Sequence, residues 1–147
     1  MKFKEYLLNE SKKIIGYVSL SKKVKLGTFL NPSKKSIDMT EKFVEKIRKE
    51  KFSDKPSRIG AIFVSPTLKA VKNWKFHGGD FIYKVEIDGN YHIADGEIYT
   101  NIDTDLDDGN MELAEKDTIK YWQGKLPYKR LIEIIIQGKV KILEEIY

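Results

Sequence analysis

Two glycine triplets, Asp88-Gly89-Asn90 and Gln137-Gly138-Lys139, constrain this chain most, because strand-like runs flank each of them. Asp80 to Ile87 alternates apolar and polar residues, and Tyr91 to Ala94 follows the first triplet. Arg130 to Ile136 and Val140 to Leu143 flank the second. Glycine beside Asp or Asn is the commonest tight-turn chemistry between strands, so the spacing predicts two β-hairpins and a mostly antiparallel sheet. No strand-helix-strand rhythm is present, and strands outnumber helices, which gives the α+β class.

The remaining elements follow from caps and breakers. A strand is expected over 14–20. Residues 21–37 carry Gly27, Asn31, Pro32 and many lysines and read as a long mobile loop of the kind that covers a site. Asp38 stands three residues before Glu41, a capping-box start for a helix to about Lys51 that buries Phe43, Val44 and Ile47. A strand from Ile59 to Val64 leads to Ser65-Pro66, where the serine is placed to cap a helix ending near Trp74. Another helix is expected from about Met111 to Gln123, stopped by Gly124. Residues 97–110 read as an acidic surface loop.

At 147 residues with 41% hydrophobic residues, one domain with one core is expected. Cysteine is absent, which excludes disulfides and thiol nucleophiles. No apolar run approaches the ~20 residues that span a bilayer, so no membrane partner is expected. The net charge of +5 is unevenly placed: residues 1–58 hold 16 Lys or Arg against 7 Asp or Glu, and residues 59–147 hold 11 against 15. A basic front half attracts nucleic acid by counterion release. Its lysines are scattered, without the arginines and interleaved aromatics of a dedicated reader, so nonspecific DNA contact is the expectation.

Few constellations carry chemistry. Asp103, Asp105, Asp107 and Asp108 suggest a calcium loop, but glycine arrives at the seventh position and Ala114 stands where a bidentate glutamate is needed. His77 and His92 lack partners at metal-ligand spacing, so no metal is expected. Trp122 reads as a core or cleft-wall aromatic. The exception is Glu133, a carboxylate among Ile132, Ile134, Ile135 and Ile136. Continuous apolar strands are buried on both faces, so a charge there needs a reason.

The segment GAIFVSPTLKAVKNW at 60–74 is similar to the glycine, aromatic-strand, serine-rich helix and terminal aromatic pattern of ADP-ribosyltransferases of the poly(ADP-ribose) polymerase type. IEIIIQGKVKIL at 132–143 resembles their last strand, in which a catalytic glutamate sits among apolar residues, and Glu133 falls on that position. Phe63 matches their site tyrosine, and Trp74 falls at the later tyrosine that stacks on nicotinamide. The PSR segment before an aliphatic strand, YKVEI and YWQG also resemble small phage and bacterial relatives of that fold. The likeness covers roughly residues 14–144 and implies a mostly antiparallel, split sheet with a few short helices. It also implies that NAD is the substrate, bound bent in a cleft, with Glu133 stabilising the oxocarbenium-like transition state.

Two positions depart from the family pattern. Active members carry a histidine or arginine on the first strand, where this chain has Tyr17, Ser19 and Ser21; Phe63 lacks the tyrosine hydroxyl. Tyr17, Ser19 and Ser65 are then candidates to hold the cofactor by hydrogen bonds, and Arg58 to reach its pyrophosphate. The departures keep a catalytically inactive, ligand-binding relative open, one that inhibits a host defence factor or nuclease. The leader MKFKEYLLNE, residues 1–10, reads as an amphipathic helix and resembles the capsid-targeting segments of internal head proteins from large tailed phages, with Leu8-Asn9-Glu10 as a protease site. That likeness implies a virion-packaged protein released into the host cytoplasm. There it would transfer ADP-ribose from NAD to a host protein or nucleic acid, or act as a DNA-associated head protein.

Overall fold

The computed structural model describes residues 13–32, 36–73 and 79–147. The leader over 1–10, Trp74 and His77 lie outside the described residues. The elements run β1 (Lys13–Leu20), α1 (Met39–Lys51), β2 (Ile62–Val64), α2 (Leu68–Asn73), β3 (Phe81–Asp95), α3 (Gly96–Asp107), α4 (Met111–Trp122) and β4 (Ile132–Ile146). This is an α+β architecture with one four-stranded sheet in the order β1-β3-β4-β2, every neighbouring pair antiparallel.

Neither glycine triplet is a turn. Asp88, Gly89 and Asn90 pair with Lys139, Gly138 and Gln137 in the middle of two uninterrupted 15-residue strands. The two expected hairpins are one long β3–β4 ribbon with glycine facing glycine at its middle. Gly89 has φ 136°, and a Cβ on Gly138 would overlap the Asp88 carbonyl oxygen, so the backbones approach closely only without side chains. Glycine here lets the two strands approach closely instead of reversing the chain.

The sheet curls back on itself, so a single curled sheet replaces the expected split one. Tyr17 and Ser65 exchange two backbone hydrogen bonds of 2.8 Å, joining β1 to the end of β2. Gly16 permits that approach, since a Cβ there would lie 2.8 Å from Val64 Cγ2. Val18, Ile62, Val64, Tyr83, Val85, Ile87, Ile134, Ile136, Val140 and Ile142 fill the concave side. Residues 27–30, expected as mobile loop, instead run beside β4: Gly27 N–H donates to Ile142 O and Leu30 N–H to Val140 O, at 2.8 and 2.9 Å.

Helices cover the other face. Val44 from α1, Ile98 and Ile102 from α3, and Tyr121 and Trp122 from α4 pack with Ala61, Ala94 and Ile135 of the sheet side. Residues 97–107 are therefore helix, not acidic loop. Ile98 and Ile102 at i, i+4 form its buried stripe, and the buried Asp95 caps it, accepting from Glu97 N–H at 3.0 Å. The expected caps hold at Asp38, which accepts from Glu41 N–H, and Gly124 follows α4 with φ 76°. The cap of α2 is Thr67, which accepts from Ala70 N–H at 3.1 Å; Ser65 is engaged in the sheet closure instead.

One buried group makes stability pH-dependent. Asp105 on α3 is 7% exposed, and its Oδ2 has no hydrogen-bond partner among the described residues. Burial first, and then the neighbouring Asp117 carboxyl on α4 and the Asp108 charge, push its pKa up to about 6, favouring the form that carries a proton. The folded state thus holds this proton more tightly than the unfolded chain, so stability is lost as pH rises from about 4 through 6. His92 works oppositely: burial lowers its pKa, so its protonation destabilises the fold at low pH. Comparing variant with wild type isolates the aspartates. Asp117→Asn is expected to raise the unfolding free energy by about 1–2 kcal/mol at pH 8, with the gain shrinking toward pH 4, measured by urea denaturation.

Candidate functional site

Glu133 lies on the same face of β4 as Ile135, beneath the helices. Its side chain is 15% exposed and meets Arg58, which is 75 residues away in sequence. Arg58 Nη1 donates to Glu133 Oε2 at 2.5 Å and also to the Tyr121 hydroxyl oxygen. The Tyr121 hydroxyl in turn donates to the same Glu133 Oε2 at 2.5 Å. Two donors thus converge on one carboxylate oxygen. The other oxygen, Oε1, accepts no hydrogen bond among the described residues.

Arg58 is itself fixed from the far side. Its Nε donates to Glu41 Oε1 at 3.0 Å, and its guanidinium carbon lies 3.8 Å from the centre of the Tyr99 ring. Tyr99 completes the circuit by donating its hydroxyl to Glu41 Oε1 at 2.6 Å. Glu41, at the third position of α1, therefore faces the site instead of reaching back to the cap as a capping box would have it. Five side chains from α1, the segment before β2, α3, α4 and β4 form one network.

Charge follows from this geometry. One guanidinium faces two carboxylates, so the cluster carries a net charge of about −1 and suits a cation or a developing positive charge better than an anion. Burial alone would lower the Arg58 pKa, but Tyr121, Glu133 and Glu41 hold it well above its ordinary value, and the group stays cationic. Burial raises the Tyr121 pKa far above the usual phenol value despite Arg58, so its hydroxyl remains a donor. Burial likewise raises that of Tyr99.

A small recess with a cavity volume of about 20 Å³, open to solvent, borders the network and is lined by Ser36, Ile37, Glu41, Arg58, Ile59, Gly60 and Phe63. Arg58 also lies 4.8 Å from the Phe63 ring centre. The recess is far smaller than the ~300–1,000 Å³ of ordinary ligand pockets, so a ligand larger than a water would lie across its mouth.

The structure brings Glu133, Arg58 and Phe63 together, with Arg58 turned toward protein carboxylates at Nε and Nη1. Tyr17 and Ser65 meet each other through their backbones. Ser65 is two residues beyond Phe63 on β2, which pairs with Ile135, so it lies on the Glu133 side of the sheet. Ser19 donates its hydroxyl to the Gly79 carbonyl at 3.2 Å. Glu41, Tyr99 and Tyr121 escaped sequence reasoning as site residues. The YWQG motif around Tyr121 was the one local signal; Glu41 reads as a cap and Tyr99 as loop.

His92 and Trp122 serve the packing. His92 Nε2 bonds the Tyr121 carbonyl at 2.9 Å, and Trp122 Nε1 donates to Val44 O at 3.1 Å. Among the described residues no helix is long and apolar enough to cross a membrane. No group of three or more His, Asp or Glu there could hold a metal ion. A family model described as a protein of unknown function (DUF2441) matches residues 2–147. Comparison with curated proteins gives no match.

Proposed function

We propose that this chain, which belongs to the DUF2441 family, is an NAD-dependent ADP-ribosyltransferase acting on a host macromolecule. The observation that carries the reading is the carboxylate of Glu133, partly buried, braced on Oε2 by Arg58 and Tyr121, and unbonded at Oε1. In the reaction the bond between nicotinamide nitrogen and ribose C1 breaks, and its electron pair leaves with nicotinamide. Positive charge then develops on the ribose, and a nucleophile of the acceptor attacks C1 and releases its proton. Glu133 Oε1 accepts a ribose hydroxyl, and the net negative charge around it stabilises the oxocarbenium-like transition state. Phe63, at the mouth of the small recess, is the aromatic group against which the flat nicotinamide end would stack.

Release of nicotinamide from NAD, with and without host-cell extract, tests this. Glu133→Gln is expected to lower the rate by about 10²–10³, the scale of one preorganised polar group at a transition state. A second reading, an NAD-independent binding protein that blocks a host factor, is favoured by the internal engagement of Arg58 and Ser19, which leaves the adenosine side of NAD with few donors. No release by wild type or variant, in buffer or extract, rejects the transferase and leaves the binder.

A further inference from the structure

We infer that Tyr121 and Arg58 are positioning residues for Glu133, selecting Oε1 as the oxygen offered to substrate; this rests on the transferase reading. A glutamate side chain in a strand has three rotatable bonds, and its two oxygens are chemically equivalent until something distinguishes them. Here the distinction is built by the fold. Oε2 receives both the Tyr121 hydroxyl and Arg58 Nη1. Rotating the carboxylate away would break both bonds at once and leave the buried Arg58, whose side chain is 7% exposed, with Glu41 as its one remaining carboxylate among the described residues.

The braces are themselves immobile. Tyr121 is fully buried at the last turn of α4, with ring centres of Tyr99 at 5.8 Å and Trp122 at 5.1 Å. Arg58 is clamped between the Glu41 carboxylate and the Tyr99 face. Neither brace bonds Oε1. Their work is to present the carboxylate in one orientation before substrate arrives, which is the condition for electrostatic stabilisation without reorganisation. Arg58 acts as a fork, holding Glu41 with Nε and Glu133 with Nη1, which a lysine ammonium at the same distance cannot reproduce.

The test compares wild type, Tyr121→Phe and Arg58→Lys in steady-state nicotinamide release. Tyr121→Phe keeps the ring and removes one hydrogen bond to a charged group, so kcat is expected to fall about tenfold with KM for NAD within about twofold. Arg58→Lys is expected to fall further, again in kcat, and checks the inference by a second substitution if the first perturbs folding. An active wild type with kcat unchanged in both variants overturns the positioning role alone. A rise in KM at constant kcat also overturns it, by making these residues simple binding groups. An inactive wild type overturns the transferase reading and this inference together.

Discussion

Arg58→Met is expected to lower the unfolding free energy by about 3–5 kcal/mol, the cost of removing one partner from a buried ion network. The reason lies in what remains. Glu41 and Glu133, each 15% exposed at the side chain, lose their common cation, and the Tyr121 and Tyr99 hydroxyls cannot neutralise two charges. Methionine replaces the aliphatic stem, so the loss reports on charge more than on volume. Adding Glu41→Gln and Glu133→Gln to Arg58→Met removes the stranded charges and is expected to recover at least half of the loss. Urea denaturation of the single and triple variants measures both effects. Equal stability of the single variant and wild type would mean that water screens the site as if it were surface.

Trp122→Ala is expected to cost a similar amount, about 3–5 kcal/mol, by a different mechanism. The indole is fully buried at the centre of the cluster under the helices, packed against His92 and Tyr121 at ring distances of 5.3 and 5.1 Å. Its removal opens a cavity and deletes the bond from Nε1 to Val44 O that ties α4 to α1. At this length each kcal/mol moves the melting midpoint by roughly 2–4 °C, so a drop of about 10 °C is the expected reading by circular dichroism. Trp122→Phe, which refills part of the space, should lose less than half as much. The cavity also frees the Tyr121 ring, so the variant should lower nicotinamide release beyond what its folded fraction explains.

Local rules were legible where the partner is local. Asp38 and Glu41, Asn110 before α4 and Gly124 after it mark helix ends by contacts within four residues, and these ends fell close to where they were expected. The glycine triplets misled because glycine serves the close approach of paired strands as well as a reversal between them, and only the facing residue tells which. Four aspartates between 103 and 108 masked the Ile98, Ile102 stripe of α3, although that spacing was present in the sequence. Glu133 stood out as a charge among isoleucines, and Arg58 was singled out too. Their meeting, and the roles of Glu41, Tyr99 and Tyr121, depend on separations of 12 to 75 residues, which periodicity does not report.

The order of the strands decides when this protein can fold. β4 comes last along the chain yet lies inside the sheet, between β3 and β2, and it carries Glu133. As the chain leaves the ribosome, β1, β2 and β3 have apolar faces but no strand to join β2 to β3, and Arg58 emerges long before the carboxylate that it braces. Completion of β4 closes the ribbon, the core and the network in one event. Until β4 is available, the apolar strand edges that it covers on β3 and β2 stay unpaired, the interval in which a chaperone would hold the chain.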